Sequence, residues 1–150
     1  MSQEKYEAKI QKYILLIEAN PNDKTLDDIR FEVTLHQFYP ITCRDIEIGC
    51  ECPVGWRKIV ECAISAIEEI ATNTTSSPPQ VVQIKQKYGT LRIYMMSEGH
   101  PDVSRIIDLA EKKCHRTCTK CGDSGIFRTQ IPWGGVLCDH HYEIWVTEHI

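Results

Sequence analysis

The sequence predicts an α+β fold in which amphipathic helices pack on a small antiparallel sheet, followed by a cysteine-rich C-terminal module. Three observations carry that prediction. Three segments show apolar stripes at helical spacing, an alternating apolar stretch between two of them reads as a hairpin, and cysteine and histidine pairs gather near the end of the chain. A chain of 150 residues, 42% hydrophobic and 25% charged, suffices for one ordinary domain with a core and is too short for a large multidomain enzyme.

The first stripe is Tyr6, Ile10, Tyr13, Ile14 and Ile17, which predicts a helix over roughly residues 3–19 that stops at Asn20-Pro21-Asn22-Asp23. Over residues 25–48 the signals conflict. Thr25-Leu26-Asp27-Asp28 suits a helical start, whereas Phe31, Val33 and Leu35 alternate with Glu32, Thr34 and His36, and on that alternation the segment reads as a short strand. After Pro53-Val54-Gly55, the residues Ile59, Cys62, Ala63, Ala66, Ile67 and Ile70 form one apolar helical face. The run of small polar residues and prolines from Ala71 to Pro79 reads as a flexible connection. Val82 and Ile84, then Leu91, Ile93 and Met95 beyond Tyr88-Gly89-Thr90, make a hairpin. Pro101 suits the first position of a third helix, with Val103, Ile106, Ile107, Ala110 and Cys114 on one face.

Formal net charge is −4, unevenly distributed, with 8 Lys/Arg against 13 Asp/Glu in residues 1–79 and 9 against 8 in residues 80–150. Bulk electrostatics therefore disfavour non-specific nucleic-acid binding by the whole chain. No apolar run is long enough to span a bilayer, so no membrane role is expected. Met1-Ser2-Gln3-Glu4-Lys5 does not open a signal peptide, which predicts a reducing, cytoplasmic setting in which eight cysteines need a reason other than disulfides.

Cys118-Thr119-Lys120-Cys121-Gly122 supplies that reason. A C-x2-C pair turns tightly enough to aim two thiolates at one ion, and the following glycine relaxes the backbone. Cys138 and His141, three residues apart at the start of a helical pattern, share a face and close the same tetrahedron. His140 is the alternative fourth ligand, with His141 the better fit to a helix start. Between the pairs, residues 126–131 and 136–137 flank Pro132-Trp133-Gly134-Gly135 as a second hairpin. Knuckle, hairpin and ligand-bearing helix in that order describe a treble-clef zinc module. Four protein ligands leave no open position, so the expected zinc is structural. Cys114 reads as core, and His115 as either a group behind the metal ligands or a surface group. Cys43, Cys50, Cys52 and Cys62 form a weaker second candidate set, since C-x-C alone chelates poorly and Cys62 lies on a core-facing stripe.

No catalytic constellation is recognised. The hairpin at 124–137 carries no histidine of the kind a treble-clef nuclease uses, and His141-Tyr142-Glu143 follows its cysteine pair instead of preceding one as in zinc deaminases. An enzyme of unrecognised type would draw on His36, Glu47 and Glu51. Lys112, Arg116, Lys120 and Arg128 give the zinc module a basic rim. Trp133 at a hairpin tip is either an interface anchor or folds back onto the third helix. The acids Asp27, Asp28, Glu32, Asp45, Glu47 and Glu51 could oppose a basic protein surface.

Three stretches resemble a group of small, mostly uncharacterised proteins of bacteriophage and bacterial genomes. They are Glu51-Cys52-Pro53-Val54-Gly55-Trp56, the run from Val82 to Tyr94 with Tyr88-Gly89-Thr90-Leu91 at its centre, and Thr117-Cys118-Thr119-Lys120-Cys121-Gly122 paired with Leu137-Cys138-Asp139-His140-His141. Members usually carry a second glycine where this chain has Thr90. The resemblance spans about residues 51–142. It implies a phage or prophage setting and a non-enzymatic scaffold stabilised by metal. The expected organisation is an N-terminal helix and variable region at 1–50, a helix-hairpin-helix core at 51–115 and the zinc module at 116–150. The expected function is binding that modulates or inhibits a host macromolecular complex, such as a defence system. The alternative is a nucleic-acid-binding regulator that uses the basic rim. The sequence carries no signal for an oligomeric state.

Overall fold

The computed structural model describes residues 2–46, 49–97 and 99–150. Helix α1 (Gln3–Ala19) starts at Ser2, whose hydroxyl accepts from Lys5 N at 3.3 Å. It buries none of its residues fully and rests on the next helix. That helix, α2 (Asp27–Phe38), stands where the alternation predicted a strand. The alternation misleads because the helix is covered on two sides. Phe31 and Leu35 enter the core, and the polar positions Glu32 and His36 are also buried, against α1. Asp27 and Asp28 fall in its first turn, where the helix dipole favours acids.

Strand β1 (Gly49–Cys50) pairs parallel with β2 (Val81–Lys87), and β2 pairs antiparallel with β3 (Thr90–Met95), so the sheet has order β1-β2-β3 and is mixed, not purely antiparallel. A bulge between Val81 and Gln83 sends Val81 inward together with Ile84, where simple alternation points to Val82. Helices α3 (Arg57–Thr72) and α4 (Pro101–Cys114) pack on each other, and α4 also lies against β3. In α3 the buried residues are Val60, Ala63, Ile64, Ile67 and Ala71. The expected face was turned by about one residue, and Cys62 is exposed. Ile59, Cys62 and Ala66 instead line a shallow groove shared with Ile106 and Leu109 of α4. Face and prediction agree in α4, with Val103, Ile107, Ala110 and Cys114 inside.

A second sheet pairs β4 (Ile126–Arg128) with β5 (Gly135–Leu137), and α5 (Asp139–His149) follows. One hydrophobic cluster runs from Phe31 and Leu35 through Trp56, Ile64, Ile84 and Leu91 to Val136 of β5. The cysteine-rich C-terminal end is tied to it by Gly55 and Trp56. Gly55 N donates to Thr119 O at 2.8 Å, and Trp56, wholly buried, donates from its indole Nε1 to Thr117 O at 2.8 Å. No helix among the described residues is long and apolar enough to cross a membrane.

Candidate metal centre

Cys118 and Cys121 sit on the turn that follows α4, Cys138 follows directly on β5, and His141 lies in the first turn of α5. Cys138 is the N-cap of α5, its sulfur accepting from His141 N at 3.4 Å, so the positive helix end faces the thiolate position. Lys120 N donates to Cys118 Sγ at 3.4 Å and Asp123 N to Cys121 Sγ at 3.5 Å. This is how a knuckle turns amides onto its sulfurs.

The ligand atoms of Cys118, Cys121, Cys138 and His141 all lie within 4.8 Å of one another, and no other such group of three or more occurs among the described residues. The sulfurs of Cys121 and Cys138 are 3.9 Å apart. His141 Nδ1 is 3.2 Å from Cys138 Sγ and 3.7 Å from Cys118 Sγ. Metal–sulfur and metal–nitrogen bonds of about 2.3 and 2.0 Å in a tetrahedron require S···S of about 3.8 Å and S···N of about 3.5 Å. The edges match. A disulfide needs sulfurs about 2 Å apart, and all eight cysteines are free. His141 supplies the nitrogen, while His140 packs edge-on against its ring at 5.1 Å and borders a groove along α5.

The electrostatics fit a cation. Burial works to raise the Cys118 thiol, but backbone amides at Cys138, Cys121 and Lys120 outweigh it and hold the group below its ordinary value. At Cys121 the Asp123 amide favours the thiolate, yet burial and the sulfurs of Cys118 and Cys138 push the group up to about 11. Three sulfurs this close cannot all be anionic without a positive charge among them, and a bound metal cation would supply it.

No family model, curated protein or solved structure matches the chain.

The second candidate set does not assemble. Cys43, Cys50 and Cys52 are buried core thiols, all raised by burial, Cys52 to about 12, while Cys62 is exposed on α3. Cys114 is likewise a core thiol raised by burial to about 12. The expected acidic face is also redistributed. Glu32 and Asp45 are buried, Asp27 pairs with Arg30 at 2.6 Å, and Asp28 accepts from Cys52 N at 3.2 Å and lies 3.4 Å from Arg57. Of the enzyme candidates, His36 is sealed beside Glu32, Glu51 is exposed, and Glu47 lies outside the described residues.

The basic rim divides into three. Lys112 and Arg116 line one groove with Arg92 and His115. Lys120 borders a different groove, among Lys24, Asp27, Asp28 and Arg57. Arg128 is turned inward: it donates to Asp139 Oδ1 at 2.8 Å and to Leu137 O at 3.2 Å, and stacks 4.4 Å from the Tyr142 ring centroid. It braces α5 against the hairpin. Trp133 does not fold back on α4. It is 78% exposed and lies 5.8 Å from the ring of Tyr88, a residue read from the sequence only as part of a turn. The signal for Tyr88 was present, since Tyr-Gly occupies a two-residue hairpin turn where Asn-Gly is usual.

Proposed function

We propose that the chain is a non-catalytic binding protein of the phage type, stabilised by a structural zinc ion, that engages and modulates a macromolecular complex of a bacterial host. Zinc is the ion of choice for three thiolates and an imidazole in a tetrahedron. With four protein ligands the shell has no position left for substrate, so the ion, when bound, supplies folding free energy on the order of 10 kcal/mol. The chain's own residues do the rest. Cys138 joins β5 to α5, Arg128 braces that junction, and Gly55 and Trp56 carry the organised knuckle onto the core.

The observation that carries the binding reading is Trp133, held 78% exposed at the tip of the metal-anchored hairpin with φ of +68°. Large aromatics presented this way are the usual anchors of recognition surfaces. The test is affinity capture from bacterial lysate with the intact zinc-loaded protein and its Trp133→Ala variant. The reading predicts a component retained by the first and lost by the second. Identical profiles, or nothing above background, contradict it.

A further inference from the structure

We infer that the face formed by the β2–β3 and β4–β5 turns, with the adjoining end of α4, binds single-stranded nucleic acid, stacking bases on Trp133 and Tyr88 and seating phosphates along Arg92, Lys112 and Arg116. This rests on the reading of the chain as a binding protein and names the chemistry of what it binds.

The first argument is backbone geometry. Lys87 pairs with Thr90 across a two-residue loop in which Tyr88 and Gly89 have φ of +51° and +74°, the signature of a type I′ turn. In the other tip Gly134 N donates to Ile131 O at 2.8 Å across Pro132 and Trp133, and the φ of +68° at Trp133 is that of the third position of a type II turn. Both positions favour glycine or asparagine. A bulky side chain there strains the backbone, so each tip holds an aromatic that its turn does not call for. Tyr88 is 59% exposed and Trp133 78%. Their rings lie 5.8 Å apart at 41°, and Lys87 Nζ stands 5.8 Å over the Tyr88 ring.

The second argument is charge and continuity. The glycines of the two turns meet over Phe127. A Cβ built on Gly89 would come within 2.7 Å of Phe127 Cε2 and 3.0 Å of Gly134 C. Phe127 stacks on His115 at 5.2 Å, and His115 lines the groove with Thr90, Arg92, Lys112 and Arg116. The aromatic pair and the cations are therefore neighbours on one surface. Glu111, 3.9 Å from Arg92, is the acid that lines this groove, in a chain whose net charge is −4. Aromatic tips beside a cationic groove suit a strand whose base faces are free. In a duplex those faces are already stacked.

The test is fluorescence anisotropy with labelled oligonucleotides of about 20 nucleotides, as DNA, as RNA and as duplex DNA, over a salt series. The inference predicts binding of a single strand in preference to the duplex, with a log–log salt slope of about −2 if three phosphates are neutralised. Trp133→Ala weakens binding about ten-fold or more with little change in that slope, Trp133→Phe restores most of it, and Arg116→Ala flattens the slope. Preference for RNA over DNA would add a contact to the 2′-hydroxyl, and equal affinity would leave bases and phosphates as the whole of the recognition. Absence of single-strand binding, a preference for duplex, or binding indifferent to Trp133 overturns the inference. If Trp133-dependent capture of a protein persists in that case, the binding reading stands and only the nucleic-acid assignment falls.

Discussion

At Trp133 the side chain and the backbone want different things. Left-handed φ in a non-glycine, non-asparagine residue costs on the order of 1 kcal/mol, and an exposed indole recovers part of that from its contact with Tyr88. Trp133→Asn is therefore expected to leave the free energy of unfolding unchanged or raise it by up to about 1 kcal/mol in urea titrations, while weakening recognition at that face. A loss of stability above about 1 kcal/mol would mean that the indole serves the fold. Glu32 shows the opposite case, a polar residue whose role is internal. Burial works to raise its carboxyl, but the hydrogen bond from His36 at 3.3 Å and the Lys9 ammonium at 3.1 Å outweigh it and hold it below the ordinary 4.5. A depressed carboxylate contributes stability in full above its unfolded-state value and loses it as pH falls through the folded one. Glu32→Gln is expected to cost about 1–3 kcal/mol at neutral pH. The gap to the parent protein should narrow in denaturation curves taken at roughly pH 3. A gap constant with pH would show that the ionised group contributes nothing.

At the scale of elements, what was legible in the sequence was whatever one periodicity or one spacing determines. Helices α1 and α4 kept their extents, both hairpins formed, and the C-x2-C and C-x2-H pairs converged on a single point. Helix α2 was missed because Glu32 and His36 go inside with Phe31 and Leu35, and burial on two sides erases the contrast that separates period 2 from period 3.6. The two-residue strand β1 is set by tertiary pairing with β2 and has no local signal of its own. Gly55 is an element-scale constraint of the same kind, since a Cβ there would stand 1.9 Å from Cys118 O. Gly55→Ala must push the knuckle off the core, and is expected to lose about 2 kcal/mol or more of stability and to release metal to a chelator faster. Unchanged metal release would detach the knuckle from Gly55. Helix α5 has no buried residue and is held by the metal ligands and Arg128. Hydrogen exchange should show its amides losing protection when metal is stripped, while those of α3 and the β2–β3 hairpin stay slow. Uniform loss throughout the chain, or none, would contradict this division.

Over the whole molecule, a hydrophobic core that the chain builds for itself carries the C-terminal end with its Cys/His cluster, and two strained hairpin tips project from it. On the proposed function the arrangement separates the tasks: apolar burial and the ion would fix the shape, and the exposed aromatics and cations would meet the partner. On the proposed reading, the order of the C-terminal end of the chain depends on a filled tetrahedron at Cys118, Cys121, Cys138 and His141. The most direct test is zinc-edge X-ray absorption on purified protein, with metal content measured on the same sample. The account predicts one zinc per chain with three sulfurs at about 2.3 Å and one nitrogen at about 2.0 Å. A sub-stoichiometric ion, or a shell containing an exchangeable water oxygen, would contradict it.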